Sequence, residues 1–237
     1  MILRIEDLDV GRCPRRNADR IEEDLRRLGL VWDEGGSGGG PSSPYFQSER
    51  TAIYQAALEA LEEQGLVYPC FCTRAELHAA DAPHREDGQV IYPGTCRGLS
   101  REESARRMKE SRKPPALRLR VPAETVAFTD GHLGAYSEYL PRDCGDFLLR
   151  RSDGMFAYQL AVVVDDAAMG VTEVVRGSDL LSSTPRQLLL YRLLGLKEPE
   201  FFHLPLLLAP DGRRLSKRER DVDLGELEVK YTAEEII

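Results

Sequence analysis

The stretch VTEVVRGSDLLSSTPRQLLLYRLLG, residues 171–195, sets the architecture. Its opening, Val171 to Val175, is short and β-prone and reads as a strand. Ser183-Thr184-Pro185 then starts a helix that runs through Leu194. Pro185 sits in the first turn, where its missing N–H is not needed, and Gly195 supplies the stop. A strand leading directly into a long helix is the repeating unit of an α/β domain.

The same alternation appears upstream. Ile2 to Ile5 reads as a strand, and Asn17 or Asp19 can cap a helix to about Leu28 with Ile21, Leu25 and Leu28 on one face. Gly35 to Ser43 is a Gly/Ser/Pro loop expected to hold no regular structure. Ser48 to Gln64, with Ile53, Ala56, Ala57, Ala60 and Leu61 in step, reads as an amphipathic helix ended by Gly65. Leu66 to Cys72 follows as a buried strand. Phe147 to Arg150 and Tyr158 to Val164 read as paired strands around an Asp153-Gly154 turn. Between about 70 and 140 the texture changes. His78 to Gly98 is loop-rich, Ser100 to Glu110 is a charged helix, and Pro114 to Ala123 alternates Leu117, Leu119 and Val121 against Arg118 and Arg120, a half-buried strand. This region is expected to be an inserted module.

Composition excludes several classes. With 42% hydrophobic and 30% charged residues over 237 positions, the chain can bury a sizeable core. It has no apolar run of the roughly 18 residues a membrane span needs. The start, Met-Ile-Leu-Arg-Ile-Glu-Asp, lacks the basic and apolar regions of a signal peptide. Five cysteines, an odd number, fit a reducing compartment, so a cytoplasmic protein is expected. The net charge of −8 argues against a generally basic nucleic-acid binder. Arg97 to Arg120, however, carries nine Lys or Arg against three Glu, and Asp211 to Arg220 carries five basic against two acidic residues. Two such patches suit a polyanion held at defined places, or are solvated helix faces.

Four motifs carry chemistry. Cys70-Phe-Cys72 and, further on, Tyr92-Pro-Gly-Thr-Cys96 offer three soft thiolates in a loop-rich region, a donor set for a structural zinc. Tyr92, His78 and His84 compete for the fourth position, and the phenol has an ordinary pKa of about 10 to overcome. Arg4-Ile-Glu6-Asp7-Leu-Asp9 closes a strand at its carboxyl end, where α/β folds place ligands. Alternatively, Asp7 and Asp9 pair with Arg12, Arg15 or Arg16. Phe156-Ala-Tyr158-Gln159 through Asp165-Asp166, followed by Val175-Arg176-Gly177-Ser-Asp179, puts polar groups at the ends of apolar runs. Arg176 offers a planar fork for a carboxylate, or is a structural partner of Asp165 or Asp179. Asp211-Gly-Arg-Arg214-Leu215-Ser216-Lys217-Arg218 is a Gly-led basic loop able to wrap a triphosphate.

In this order, the four motifs resemble the glutamyl branch of the class I aminoacyl-tRNA synthetases. The resemblance implies that Glu6 contacts the amino group of glutamate and that Tyr158 and Arg176 bind the amino acid. Arg214-Leu215-Ser216-Lys217-Arg218 would be the KMSKS loop, with Lys217 touching ATP. Cys70, Cys72, Tyr92 and Cys96 would hold one structural Zn2+, which favours Tyr92 over the histidines. It further implies a Rossmann-like catalytic domain split over 1–68 and 140–205, a zinc module at 69–139 that holds the tRNA acceptor end, and 206–237 as the KMSKS-like loop with the start of a helical segment. The substrates would be L-glutamate and ATP, with Mg2+, and the protein would act as a monomer.

Within the branch, residues 156–166 and 176–187 look closest to the glutamyl-queuosine form, which lacks an anticodon-binding domain and places glutamate on the queuosine of tRNA(Asp). The alternatives are the core of a standard glutamyl-tRNA synthetase acting on tRNA(Glu), or an inert zinc-containing tRNA-binding fragment. The family's HIGH motif should precede Arg4. His78, His84, His132 and His203 lie in other contexts, so a chain shortened at both ends, without the first strand, is expected.

Overall fold

Ile2–Leu3 forms strand β1 and pairs in parallel with β2 (Glu34–Gly35), the pair being joined through helix α1 (Arg15–Arg27). The computed structural model describes residues 1–79, 91–209, 213, 215 and 224–236. They divide into two compact units, Met1–Arg50 with Pro205–Ile237, and Thr51–Leu204.

In the first unit Leu3, Ile5, Ala18 and Phe46 form a small apolar cluster, and Ile5 bridges Phe46. The face of α1 differs from the expected one. Ala18 and Glu22 are buried, whereas Ile21 is 49% exposed. Glu22 accepts hydrogen bonds from the backbone N and hydroxyl of Ser37, both at 2.6 Å, and an ion pair from Arg26 at 3.0 Å. Burial raises its pKa, but these partners outweigh burial and hold it below the usual range. A satisfied carboxylate therefore occupies a position that apolar periodicity assigns elsewhere. Its donor lies in the Gly/Ser loop, which holds one 3-10 turn at Gly36–Gly38 rather than no regular structure.

The second unit starts with α2 (Thr51–Glu63), which buries Tyr54, Leu58 and Leu61 and leaves Ile53 partly exposed. Then come β3 (Val67–Cys70), α3 (Arg74–Ala79) and α4 (Arg101–Glu110). A capping box starts α4: the Ser100 hydroxyl accepts from the Glu103 amide, and the Glu103 carboxylate accepts from the Ser100 amide. Strand β4 (Ala116–Leu119) is followed by the hairpin of β5 (Thr125–Asp130) and β6 (Gly134–Tyr139), then α5 (Leu140–Asp143) and β7 (Leu148–Arg150). β4 lies between β3 and β7 and runs antiparallel to both. The alternation expected along β4 fails at Arg118, which is buried.

Residues 158–164 overturn the strand expected there. Tyr158–Ala168 is helix α6, with Leu160 through Asp166 all buried. The run Val162-Val163-Val164 favours a strand by local propensity. Helix α6 packs against α2 and α7 (Thr184–Leu193), and a helix enclosed on all sides needs no polar stripe. Periodicity therefore could not separate the two readings. Tyr54 meets Phe156 edge-on at 5.5 Å and donates to Asp165 at 2.8 Å. β8 (Glu173–Gly177) and α7 are the expected strand and helix, the strand lying two residues later than Val171–Val175, and β9 (Glu200–Leu204) adds an unexpected strand parallel to β8. The first unit ends with two short helices, α8 (Leu224–Glu228) and α9 (Ala233–Ile236). No helix among the described residues is long and apolar enough to cross a membrane.

Candidate functional site

Strand β3 ends at Cys70, and the chain turns at Cys72 toward the Tyr92–Cys96 segment. The sulfurs of Cys70, Cys72 and Cys96 all lie within 4.8 Å of one another. Cys72 Sγ is 3.6 Å from Cys96 Sγ, and the Tyr92 Oη lies 3.5 Å from Cys70 Sγ and 3.8 Å from Cys72 Sγ. The phenol oxygen also accepts the Cys96 amide at 2.7 Å, which holds it at the sulfur cluster. The expected four residues are therefore together and largely buried. The side chain of His78 and the whole of His84 lie outside the described residues.

The electrostatics favour a cation at this place. Burial raises the Cys70 thiol, but the Tyr92 hydroxyl and the Arg118 guanidinium outweigh burial and bring it down. Burial, with the neighbouring Cys70, pushes Cys72 up to about 12. Burial and the Cys70 hydrogen bond also raise the Tyr92 phenol. Ionisation is thus eased at Cys70 and resisted at Cys72, as crowded like charges require. Three soft donors and a phenol in this state fit a zinc ion, which would hold all of them in their anionic forms.

Two residues that the sequence reading did not single out as site residues frame the cluster. Arg118 stacks over the Tyr92 ring at 3.8 Å and donates to the Asp146 carbonyl at 2.8 Å. The Asp146 carboxylate, itself buried, accepts from Tyr68 at 2.6 Å, Arg97 at 2.8 Å and the Val121 amide at 2.8 Å. Gly145 bridges Tyr92 with φ of 61°, and an added Cβ would stand 3.0 Å from the Tyr92 carbonyl. Neither residue has a local motif: Asp146 gathers partners 25 to 78 positions away.

The other cluster surrounds Arg176 at the end of β8. Its Nε donates to His203 Nε2 at 2.9 Å, and Nη2 donates to Thr184 Oγ1 at 2.7 Å. Its guanidinium lies 5.1 Å from the Phe201 ring. Burial lowers the Arg176 pKa, while Tyr158 and Asp166 act in the opposite sense, Tyr158 through a side-chain hydrogen bond. Tyr158 and Arg176, both expected to bind the amino acid, are therefore neighbours. Asp165, one suggested ion-pair partner of Arg176, accepts the Tyr54 hydroxyl at 2.8 Å. The sequence reading assigned neither His203 nor Thr184 to a site. The available signal was register, since Arg176 and His203 are paired positions of two parallel strands.

In the first unit the Glu6 carboxylate is partly exposed and meets Arg4 at 3.1 Å. Asp7 is buried and accepts from the Ser48 amide and hydroxyl at 2.9 and 2.7 Å. Asp9 lies 3.7 Å from Arg12, as the structural alternative proposed. Of the basic loop, Leu215 is described and partly buried, whereas Arg214, Ser216, Lys217 and Arg218 lie outside the described residues.

Comparisons with known proteins converge on this layout. The chain is 54% identical over 228 residues to a glutamyl-Q tRNA(Asp) synthetase of Nitratidesulfovibrio vulgaris, covering 96% of this chain and 70% of that protein. It is 52% identical to the enzyme so named in Symbiobacterium thermophilum, covering 100% of this chain and 73% of that one. The crystal structure of glutamate-tRNA synthetase from Elizabethkingia anophelis superposes with a TM-score of 0.78 at 35% identity, covering 93% of this chain and 46% of that one. The chain thus spans about half the length of that solved relative. The family model described as tRNA synthetases class I (E and Q), catalytic domain, matches residues 1–233, and the chain belongs to that family.

Proposed function

We propose that this chain is the catalytic core of an enzyme that activates glutamate with ATP and transfers it to the queuosine base of tRNA(Asp). The observation that carries the reading is the half-buried Arg176 with Tyr158 beside it. Two of its N–H groups are committed to His203 and Thr184, which fixes the plane of the fork. A fixed guanidinium suits a carboxylate ligand, whose two oxygens match its geometry.

The reaction needs no protein nucleophile. An α-carboxylate oxygen of glutamate attacks the α-phosphorus of ATP, and the bond to the β-phosphate breaks to release pyrophosphate. A queuosine hydroxyl then attacks the acyl carbon, AMP departs, and the hydroxyl proton is lost. Arg176 and Tyr158 orient the amino acid, Glu6 receives its ammonium group, and Lys217 with Arg214, Leu215, Ser216 and Arg218 wraps the triphosphate and its Mg2+. Acceleration comes from positioning and charge neutralisation. Cys70, Cys72, Tyr92 and Cys96 hold a structural zinc that ties the 69–139 module together for the tRNA acceptor end. Residues 1–68 and 140–205 supply the catalytic domain, 206–237 carries the KMSKS-like loop, and the enzyme acts as a cytoplasmic monomer.

The test is glutamate-dependent ATP–pyrophosphate exchange by the full-length protein without tRNA, followed by glutamate transfer to tRNA(Asp) with and without queuosine. Exchange without tRNA and transfer only to the queuosine-bearing tRNA are expected. A second reading, the standard glutamyl-tRNA synthetase, is favoured by relatives named glutamate--tRNA ligase. One from Alkalilimnicola ehrlichii is 47% identical, with 47% of its length covered. Exchange that appears only on adding tRNA(Glu) would select it.

A further inference from the structure

We propose that Asp130 and His203 form a positioning relay that fixes the guanidinium of Arg176 and thereby sets the affinity for glutamate. The inference rests on the reading of Arg176 as the group that receives the amino acid. Asp130 ends β5 and His203 lies in β9, and both are fully enclosed: their side chains have no exposed surface. His203 Nδ1 lies 2.6 Å from Asp130 Oδ2, and the His203 amide donates to Asp130 Oδ1 at 3.1 Å. The same oxygen takes the amides of His132 and Leu133 at 3.1 and 2.9 Å. Gly131, next to Asp130, allows the close approach to β9: an added Cβ would fall 2.0 Å from the Phe202 ring.

The chemistry of the donors dictates the tautomer. Arg176 Nε carries a hydrogen and has no acceptor capacity, so His203 Nε2 must accept from it. A neutral imidazole accepting at Nε2 bears its proton on Nδ1, which is the side facing Asp130. The carboxylate therefore selects the histidine tautomer that can hold Arg176, and Thr184 Oγ1 holds the neighbouring Nη2. Thr184 Oγ1 also stands 3.3 Å from His203 Nε2, closing the ring of contacts. An Arg176 side chain without these restraints has its rotamer freedom returned and loses the geometric advantage of a preset fork.

Asp130→Asn separates tautomer selection from shape. Its amide oxygen can keep the three backbone amides, but its NH2 now faces Nδ1 and demands that Nδ1 accept. The proton then moves to Nε2, against the Arg176 Nε–H. In the full-length protein, Asp130→Asn and His203→Leu are expected to raise the glutamate KM in ATP–pyrophosphate exchange about tenfold or more, with the ATP KM within about twofold of wild type. His203→Gln, whose amide oxygen can accept from Arg176, is expected to restore most of the loss. Arg176→Ala is the control for the underlying reading. If it leaves the glutamate KM unchanged, that reading falls and the relay with it. If it raises the KM while Asp130→Asn and His203→Leu do not, the relay alone is overturned. Nitrogen-15 NMR of the unsubstituted protein bears on the same point without a variant. A pyrrole-type Nδ1 and a pyridine-type Nε2 at His203 are expected, and the reverse assignment or a doubly protonated ring would overturn the proposal.

Discussion

The two buried clusters of the Thr51–Leu204 unit solve opposite charge problems. At Cys70, Cys72, Cys96 and Tyr92 the donors are all potential anions, and burial together with the neighbouring Cys70 resists ionisation of Cys72 and Tyr92. Arg118 is a nearby cation, but it lies over the ring face and is shared with the Asp146 carbonyl. That donor set suits a cation from outside. Around Arg176 the charges are matched internally, a carboxylate and a guanidinium flanking an imidazole. That cluster balances its charges without an added ion. The first is suited to holding a fold together, the second to holding a substrate.

The largest expected effect is metal loss. Cys96→Ser should bring bound zinc well below one per chain, and chelation of the unsubstituted protein should cost on the order of 5 kcal/mol or more of stability, read by metal analysis and thermal unfolding. Equal unfolding with and without chelator would break the contrast. Next, Arg176→Ala should lower kcat/KM for glutamate by about a hundredfold or more while leaving zinc content unchanged, as expected when a half-buried, hydrogen-bonded charged partner is removed. Arg118→Met in the zinc-loaded protein should cost about 2 kcal/mol in urea unfolding, because it orphans the Asp146 carbonyl and removes the cation from the Tyr92 ring.

A smaller effect is linked to pH. Burial raises the Asp130 pKa, but hydrogen bonds from His203 and the Leu133, His203 and His132 amides more than offset it, so the net shift is downward. A depressed carboxylate stabilises the fold fully above its unfolded pKa of about 3.9, and that contribution is lost as pH falls through the lower folded value. Asp130→Asn should therefore flatten the acid limb of stability against pH, measured by denaturant titration at a series of pH values. The smallest effect is expected at Cys13, a thiol outside the cluster. Cys13→Ser should stay within about 0.5 kcal/mol and leave zinc unchanged.

The sulfur cluster was legible in the sequence because its donors fall within 27 residues and announce themselves by spacing. The strand and helix of β8 and α7 were legible for the same local reason, whereas β9 was not. Asp130 and His203, 73 positions apart, meet only through the packing of β5 against β9, and single histidines and aspartates carry no spacing signal. Tyr158–Ala168 was misread because enclosure on all sides removes the polar stripe that distinguishes a helix from a buried strand. Glu22 was missed because a burial position held by a satisfied carboxylate looks, from sequence, like solvent-facing charge.

Asp146 has a kinetic consequence. One carboxylate ties the Tyr68 hydroxyl on β3, the Arg97 side chain just past Cys96, and the Val121 amide beyond β4. None of these three segments can detach without stranding a buried charge, so they open together rather than fraying one at a time. The Val121 amide should exchange its hydrogen at the rate of that collective opening.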